Sequence, residues 1–272
     1  MLSKKANHFF NHWPVIKETF KDKDILLFLD YDGTLTPIVE RPESAVLSTE
    51  TKKVLETLIE HESFKVFIVS GRAMADVKMR VGINNIVYIG NHGLEIEGME
   101  IDCGDFSFPR FRKILEYLKC EINQEPVFLK GAFVEDKGLS LSVHYRMLNL
   151  KDESIFRIFF ERITKEFAFK NKVRIVSGKK VFEIRPPMDW DKGKAVLQLL
   201  KTHEDAIKNQ KVVVVYIGDD QTDEDAFKVL DKMAVTIHVG DSQSTAAGYF
   251  LESPREVTKF LECLVDLKGK KG

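Results

Sequence analysis

Two carboxylates, Asp30 and Asp32, follow the apolar run Ile25–Leu29 in the stretch DYDGT. Acidic side chains that leave a buried strand repel each other and lose hydration, so the pair indicates a bound cation or a reaction that needs it. Asp30 could attack phosphorus in line and form an aspartyl-phosphate. Asp32 could protonate the leaving oxygen and then deprotonate the attacking water. The alternative interpretation is an ordinary turn, since Asp and Gly also favour loops.

A second acidic stretch, GDDQTDED at residues 218–225, follows the apolar run Val212–Ile217. Mg²⁺ prefers one or two carboxylates together with water and phosphate oxygens. We predict Asp219 as a direct ligand and Asp223 as an additional or outer one, and the sequence leaves open whether Asp220 takes that additional role. The two acidic residues that follow, Glu224 and Asp225, are explained by a helix N-terminus.

The predicted metal site also includes Asp30 and the backbone carbonyl of Asp32, which together with Asp219 would bring a dianionic phosphate to the nucleophile. Ser70 and Gly71 follow the run Val66–Val69, where a hydroxyl and nearby backbone N–H groups can hold phosphate at a helix start.

Lys192 precedes the helical run Lys194–Leu200. Its charge could neutralise the aspartates and the charge that develops during reaction. A lysine considered alone would be interpreted as a solvated surface charge. Its place in the chain, between the other motifs, favours the catalytic interpretation.

Overall composition excludes some partners. Lys and Arg number 41 against 42 Asp and Glu, so no general basic field is present to hold nucleic acid or an anionic membrane. Cys103, Cys120 and Cys263 fit neither a disulfide framework nor a zinc spacing, which predicts reduced thiols and a cytoplasmic location. No apolar run approaches the roughly 20 residues that span a bilayer. The oligomeric state is not indicated.

Short apolar runs at residues 25–29, 66–69, 86–89 and 212–217 predict strands buried on both faces, as in a parallel sheet. Helical patterns lie between them, at Thr49–His61 after a Ser48 N-cap, at Met74–Arg80 and at Asp225–Met233. This alternation predicts a doubly wound, Rossmann-like α/β fold whose ligands bind beyond the carboxyl ends of the strands.

The middle of the chain has a different pattern. Lys137–Arg146 alternates apolar and polar residues, which predicts one antiparallel strand, and residues 173–184 predict a hairpin. With helices at Arg110–Ile122 and Glu153–Phe169, residues 103–186 form a predicted α+β domain. It interrupts a core of residues 23–102 and 187–272, and residues 1–22 are a predicted helical arm.

Taken in order, the Asp-x-Asp-Gly-Thr, Ser, Lys and Gly-Asp-Asp-x-x-Asp motifs resemble the haloacid-dehalogenase-like (HAD) phosphatases. The resemblance implies a Mg²⁺-dependent phosphatase with an inserted cap. Further stretches at residues 29–45, 69–72, 90–96, 134–146, 182–196 and 216–227 resemble the trehalose-6-phosphate phosphatases. By that resemblance the cap holds the sugar, and other residues lie at the core–cap junction or near the phosphate. The sugar-binding cap residues implied in this way are Glu135, Lys137, Arg146 and Glu183. His92 and Glu95 would lie at the core–cap junction, and Arg72 would lie near the phosphate.

Other interpretations remain open at this stage. The core motifs also suit phosphatases for sucrose phosphate or for glucosyl- or mannosyl-glycerate phosphate, and a phosphomutase is a further option. A non-catalytic sugar-phosphate sensor is disfavoured, because a binding protein gains nothing from a nucleophile. Without the resemblance the charged cap residues would be solvated strand charges. We interpret His144 as structural, and Trp190 as either a sugar-stacking or a packed hinge residue.

Overall fold

The computed structural model describes residues 6–39, 42–99, 101, 106–124, 131–178, 180–209, 211–241 and 244–269, and Cys103 and the predicted boundary at 102–103 lie outside them. The strands, in chain order, are β1 (Asn7–His8), β2 (Asp24–Asp30), β3 (Phe64–Val69), β4 (Val87–Gly90), β5 (Glu95–Ile96), β6 (Phe133–Asp136), β7 (Leu141–His144), β8 (Arg174–Gly178), β9 (Val181–Arg185), β10 (Val212–Gly218), β11 (Ala234–Val239) and β12 (Tyr249–Leu251). The helices are α1 (Phe9–Phe20), α2 (Thr49–Glu60), α3 (Met74–Val81), α4 (Phe108–Asn123), α5 (Leu150–Phe169), α6 (Lys192–Lys201), α7 (Glu204–Lys208), α8 (Gln221–Leu230) and α9 (Pro254–Lys268).

The chain divides into two compact units. The core unit comprises Met1–Glu100 and Trp190–Gly272, and the inserted unit comprises Ile101–Asp189. No helix in the described ranges combines the length and the hydropathy that crossing a bilayer would require.

The core unit is built on a sheet with the strand order β1-β12-β11-β10-β2-β3-β4-β5. All neighbours pair in parallel except β4 and β5, which are antiparallel. The central strand β2 is buried on both sides, with Leu27 in the main apolar cluster and Phe28 stacked on Phe67 at 4.3 Å between ring centroids. The predicted doubly wound α/β fold is therefore confirmed.

The amino-terminal helix α1 belongs to this core unit. Phe9, Ile16 and Phe20 are buried in the main cluster, and the Phe9 ring meets Phe260 of α9 edge to face at 4.9 Å. The short strand β1 extends the sheet beside β12.

Capping side chains decide where the helices begin. Ser48 caps α2 as predicted, accepting the Thr51 N–H at 3.0 Å. The predicted helix at Asp225–Met233 is wrong in its bounds, because α8 begins at Gln221 and ends at Leu230. Asp220 caps it by accepting two backbone N–H groups, and the Asp223 side chain accepts the Asp220 N–H in return. Asp223 is thereby fixed in the first turn of α8.

The inserted unit is an antiparallel sheet in the order β6-β7-β9-β8 with α4 and α5 packed on one side. Its apolar cluster combines Leu115 of α4 and Phe156 of α5 with Val143 and Ile184 of the sheet. The antiparallel strand predicted over Lys137–Arg146 is confirmed as β7, but its bounds are wrong, because β7 covers only Leu141–His144. The chain turns between β6 and β7, because Gly138 adopts φ +79°, a conformation that side chains disfavour.

Candidate active site

The acidic motifs meet at the carboxyl edge of the core sheet. Asp30 is the last residue of β2, Ser70 follows β3, and Asp219 follows β10. Because β10, β2 and β3 are parallel neighbours, their carboxyl ends lie side by side. This arrangement is the general ligand-binding edge of doubly wound sheets.

Lys192 joins the motifs through a buried ammonium group. Its Nζ lies 2.7 Å from Asp30 Oδ1 and 2.8 Å from Asp223 Oδ1, and the lysine side chain is 2% exposed. Lys192 lies in the first turn of α6. Asp191 caps this helix by accepting the Lys194 N–H at 2.9 Å. The ion pairs join residues that are far apart in the chain.

Asp223 is held by four hydrogen-bond donors among the described residues. Its Oδ1 accepts Lys192 Nζ and the Tyr216 hydroxyl, the latter at 2.7 Å. Its Oδ2 accepts the backbone N–H groups of Asp219 and Asp220, each at 3.1 Å. The side chain is fully buried, so this carboxylate has a fixed orientation.

Asp219 differs from Asp223, since its buried Oδ1 has no hydrogen-bond partner within the described part of the chain. Gly33 approaches it so closely that a Cβ at position 33 would collide with the Asp219 carboxylate, and Gly33 also adopts φ +86°. One oxygen from each of Asp30, Asp219 and Asp223 lies within 4.8 Å of the others. Such a set of oxygens with one unsatisfied member fits a small divalent cation.

The site carries more negative charge than one ammonium offsets. Burial raises the pKa of Asp30 well above its ordinary value; Lys192 opposes this shift, and Asp223 and Asp219 add to it. Burial and the adjacent Asp223 raise the pKa of Asp219 to about 8. Burial would lower the pKa of Lys192, but Asp223 and Asp30 raise it well above its ordinary value. A bound cation would relieve the excess negative charge.

Asp32 is held by Arg72 rather than by the acidic cluster. Arg72 Nε donates to Asp32 Oδ2 at 2.7 Å, and Nη2 donates to Oδ1 at 2.6 Å. The guanidinium also donates to Asp76 and to the Pro42 carbonyl. Arg72 is buried, whereas the Asp32 side chain is 40% exposed. The sequence resemblance assigned Arg72 to the phosphate and did not indicate this two-point contact.

Ser70 and Gly71 form a tight turn after β3. Ser70 Oγ accepts the Arg72 N–H at 3.1 Å, and the Ser70 carbonyl accepts the His92 N–H at 3.0 Å. A Cβ at Gly71 would collide with the His92 imidazole. His92 is buried and adopts φ +55°. The predicted phosphate-binding turn and the predicted junction residue are therefore in direct contact.

Glu95 supports the loop that carries His92. Its Oε2 accepts the Met74 N–H at 2.8 Å and the Asn91 side-chain amide at 2.7 Å. Trp190 donates from its indole to the Gly93 carbonyl at 2.8 Å, which favours the packed hinge interpretation for that residue. These contacts hold the loop after β4 against the start of α3.

Three of the four predicted sugar-binding residues share one side of the sheet in the inserted unit. The register pairs Glu135 with Ser142 and Ser142 with Glu183. Glu183 Oε1 accepts Lys137 Nζ at 3.4 Å and the Ser142 hydroxyl at 3.2 Å. Arg146 instead lies in the exposed turn after β7.

Sequence reasoning missed two further members of this polar face. Arg185 Nε donates to Glu183 Oε2 at 2.7 Å, so the Glu183 carboxylate lies between two cations. His144, which we interpreted as structural from the sequence, lies 2.9 Å from Glu135 through its Nε2. The alternation of β7 and β9 already indicated that these residues would share a face with the predicted ones.

Comparison with known structures shows which folds this chain resembles. A HAD/COF-like hydrolase from Plasmodium vivax covers 93% of this chain and 100% of its own, at a TM-score of 0.58 and 20% identity. The C-terminal domain of C. albicans trehalose-6-phosphate phosphatase covers 98% of this chain and 100% of its own, at a TM-score of 0.77 and 24% identity. These likenesses show a shared fold, a doubly wound α/β core with an inserted α+β unit.

Sequence comparison is more specific. The trehalose-phosphatase family model matches residues 28–255. Trehalose-phosphate phosphatase B of Arabidopsis thaliana is 38% identical over 274 residues, which is 96% of this chain and 71% of the relative. The chain belongs to the trehalose-phosphatase family of enzymes, and the resemblance seen in its motifs is confirmed.

Proposed function

We propose that the protein is a Mg²⁺-dependent phosphatase that hydrolyses trehalose 6-phosphate to trehalose and phosphate through an aspartyl-phosphate on Asp30. The observation that carries this proposal is the buried cluster in which Lys192 contacts both Asp30 and Asp223, with Asp219 beside them. Membership of the trehalose-phosphatase family supports the choice of substrate.

In the first step an Asp30 carboxylate oxygen attacks phosphorus in line, and the bond between phosphorus and the sugar oxygen breaks. Asp32 supplies the proton that the leaving sugar oxygen takes up. In the second step Asp32 takes a proton from water, whose oxygen attacks the phosphorus atom. The bond between phosphorus and the Asp30 oxygen breaks, phosphate leaves, and the Asp30 carboxylate is regenerated.

The contacts of the two aspartates match these different roles. The Lys192 ammonium fixes Asp30 Oδ1 and offsets negative charge as the phosphoryl group approaches. Arg72 fixes the Asp32 carboxylate at both oxygens while leaving it partly exposed. The ionised carboxylate held in this way can take the proton from water in the second step, and it must give up part of the two-point contact with Arg72 when it carries the proton for the leaving oxygen.

We propose that Asp30, Asp219 and the backbone carbonyl of Asp32 would hold the cation, with Asp223 as an outer member that anchors Lys192. Mg²⁺ bound there would reduce the repulsion between the phosphate dianion and the nucleophile. The unsatisfied Asp219 Oδ1 supports a ligand role, whereas the Asp223 oxygens already accept four donors. Ser70 and the backbone at Gly71 would bind the phosphate oxygens.

We further propose that the inserted unit is the specificity cap and that Glu135, Lys137, Arg146 and Glu183 bind the sugar hydroxyls. The acceptors and donors that Glu135, Lys137 and Glu183 place on one sheet face suit a molecule whose hydroxyls both donate and accept, and Arg146 is included on the sequence resemblance. We also propose that His92 and Glu95 contribute at the core–cap junction. A cytoplasmic location stays a prediction from the cysteine pattern.

A phosphate-release panel tests the proposed substrate. Purified protein with Mg²⁺ would be assayed against trehalose 6-phosphate, sucrose 6-phosphate, glucosyl-glycerate phosphate, mannosyl-glycerate phosphate and glucose 6-phosphate. We expect kcat/KM to be highest for trehalose 6-phosphate, by about tenfold or more, because a cap that pairs several charged groups with hydroxyls rejects a misplaced sugar. A higher kcat/KM for another sugar phosphate would overturn the substrate assignment, and binding without any turnover would support the sensor interpretation.

Glu183→Gln tests the role of the polar face. The amide keeps the shape but loses the charge that lies between Lys137 and Arg185. We expect kcat/KM for trehalose 6-phosphate to fall by about tenfold or more, the effect of losing a charged hydrogen bond. Hydrolysis of para-nitrophenyl phosphate, which has no sugar hydroxyls, should change by less than about twofold.

The matched control is Glu166→Gln, which removes the exposed ion pair between Glu166 on α5 of the same unit and Lys170, the residue that follows this helix. Surface pairs of this kind contribute little, so both substrates should be unaffected. Equal losses for the two substrates in Glu183→Gln would assign Glu183 to the fold, and no loss for either would remove it from the sugar site.

A further inference from the structure

Tyr216 is a buried phenol in the middle of β10, a strand that is otherwise apolar. Its hydroxyl donates to Asp223 Oδ1 at 2.7 Å. Two other buried tyrosines of the core unit satisfy their hydroxyls on the backbone, since Tyr31 donates to the Ala45 carbonyl and Tyr88 to the Ile83 carbonyl. The Tyr216 hydroxyl therefore donates to a carboxylate of the site, whereas the other two hydroxyls donate to backbone carbonyls.

The position of the Tyr216 hydroxyl is set by packing. The Tyr216 ring meets Phe227 of α8 edge to face, with 5.7 Å between centroids, and both side chains are fully buried. A ring held in this way cannot swing its hydroxyl to another partner without disturbing the core. The Tyr216 hydroxyl is consequently a donor in a fixed position, and its hydrogen bond helps to orient the Asp223 carboxylate.

Asp223 in turn determines where the Lys192 ammonium lies. Asp223 Oδ1 accepts Tyr216 and Lys192 together, while Oδ2 is held by the N–H groups that follow β10. Lys192 Nζ is 2.8 Å from this oxygen and 2.7 Å from Asp30 Oδ1. The phenol, the carboxylate, the ammonium and the nucleophile thus form one chain of buried contacts.

We propose that Tyr216 is a positioning residue for the phosphatase reaction, which acts through Asp223 to keep Lys192 on the nucleophile Asp30. This inference rests on the proposed function. Without the phenol, Asp223 Oδ1 retains only the ammonium as a side-chain donor among the described residues, and the ammonium moves toward Asp223 and away from Asp30. Tyr216 does not need to touch the substrate for this effect.

Tyr216→Phe is the variant that tests the proposal, because it removes one oxygen atom and keeps the ring. We expect kcat for the phosphate ester that the wild type hydrolyses best to fall about tenfold, as for the loss of one hydrogen bond to a charged group. KM should change by less than about threefold, since no substrate contact is removed. Tyr88→Phe is the matched control, because Tyr88 is equally buried and its hydroxyl donates to the Ile83 carbonyl and not to an aspartate.

A double-mutant cycle separates positioning from simple packing. In the Asp223→Asn background, Tyr216→Phe should lower kcat by less than about twofold further. The reason is that the Asp223 carboxylate, through which Tyr216 acts on Lys192, is already absent. Tyr88→Phe should have the same effect on the thermal midpoint in both backgrounds and should leave kcat unchanged.

The outcomes distinguish this inference from the proposed function. A wild-type protein that hydrolyses no phosphate ester would overturn both. With an active wild type, a Tyr216→Phe kcat equal to that of Tyr88→Phe would overturn the inference alone. Losses in Tyr216→Phe and Asp223→Asn that multiply as independent effects would also overturn the inference and leave the proposed function intact.

Discussion

Asp30→Asn is expected to lower kcat for trehalose 6-phosphate by about 10⁴-fold or more, the scale seen when a catalytic nucleophile is removed. The amide keeps the shape of the side chain and can still lie beside Lys192, but it cannot form the phosphoenzyme. Steady-state phosphate release measures the loss. Incubation with substrate followed by acid quenching and mass spectrometry would show the covalent intermediate in the wild type and none in the variant.

The folded state should tolerate this substitution. Burial raises the pKa of Asp30, so the fold favours the neutral form, and the ionised carboxylate costs stability at pH values above its unfolded pKa. In EDTA at pH 7 the thermal midpoint of Asp30→Asn should therefore be no lower than that of the wild type. Asp24→Asn, at the exposed opposite end of β2, is the matched control and should retain activity. Appreciable turnover by Asp30→Asn would refute the nucleophile assignment.

Removal of divalent cations is expected to reduce activity to below about 1% of the starting rate, because a dianionic ester is otherwise repelled by the acidic cluster. Added Mg²⁺ should restore the rate. Asp219→Asn should raise the Mg²⁺ concentration for half-maximal activity by about tenfold or more, since it weakens a carboxylate ligand. Calorimetric titration of the apo-protein with Mg²⁺ gives the same comparison without turnover.

Asp225→Asn provides the comparison within the same motif. Asp225 forms only an exposed pair with Lys228 at 3.4 Å among its described contacts, so its loss should leave the Mg²⁺ requirement unchanged. Full activity after thorough chelation would exclude the metal requirement, and identical Mg²⁺ titrations for Asp219→Asn and Asp225→Asn would exclude Asp219 as a ligand.

The sequence predicts the architecture correctly where buried strands appear as continuous apolar runs. The continuous apolar runs before Asp30 and Asp219 correctly indicated parallel strands, and their shared edge indicated that the motifs would meet. Helix bounds were less accessible. The start of α8 depends on the reciprocal hydrogen bonds of Asp220 and Asp223, and acidic residues are equally common in turns. The turn that contains Gly138 was missed because Leu139 and Ser140, which precede β7, continue the alternation of that strand.

The hydrogen bonds between side chains of the site could not be predicted from the sequence in the same way. The sequence assigned chemistry to Asp32 and Lys192 by type and position, but hydrogen bonds between distant side chains depend on the folded geometry. The Arg72–Asp32 contact joins residues that belong to different motifs. Tyr216 did carry a signal, because a phenol inside an apolar strand must find a partner for its hydroxyl. The identity of that partner, Asp223, required the structure.

The pairing of β2 with β10 has a consequence for protein synthesis. Asp24 pairs with Val212 and Leu29 with Ile217, so one edge of β2 has its partner only after most of the chain has been made. The described strands of the inserted unit pair only with one another, and that unit can acquire its sheet while β10 is still within the ribosome.

A nascent chain therefore carries a long, apolar strand with an unpaired edge, which is a site for aggregation or chaperone binding. A chain truncated before residue 212 would keep this edge of β2 without its β10 partner, and it would lack Asp219 and Asp223 beside Asp30.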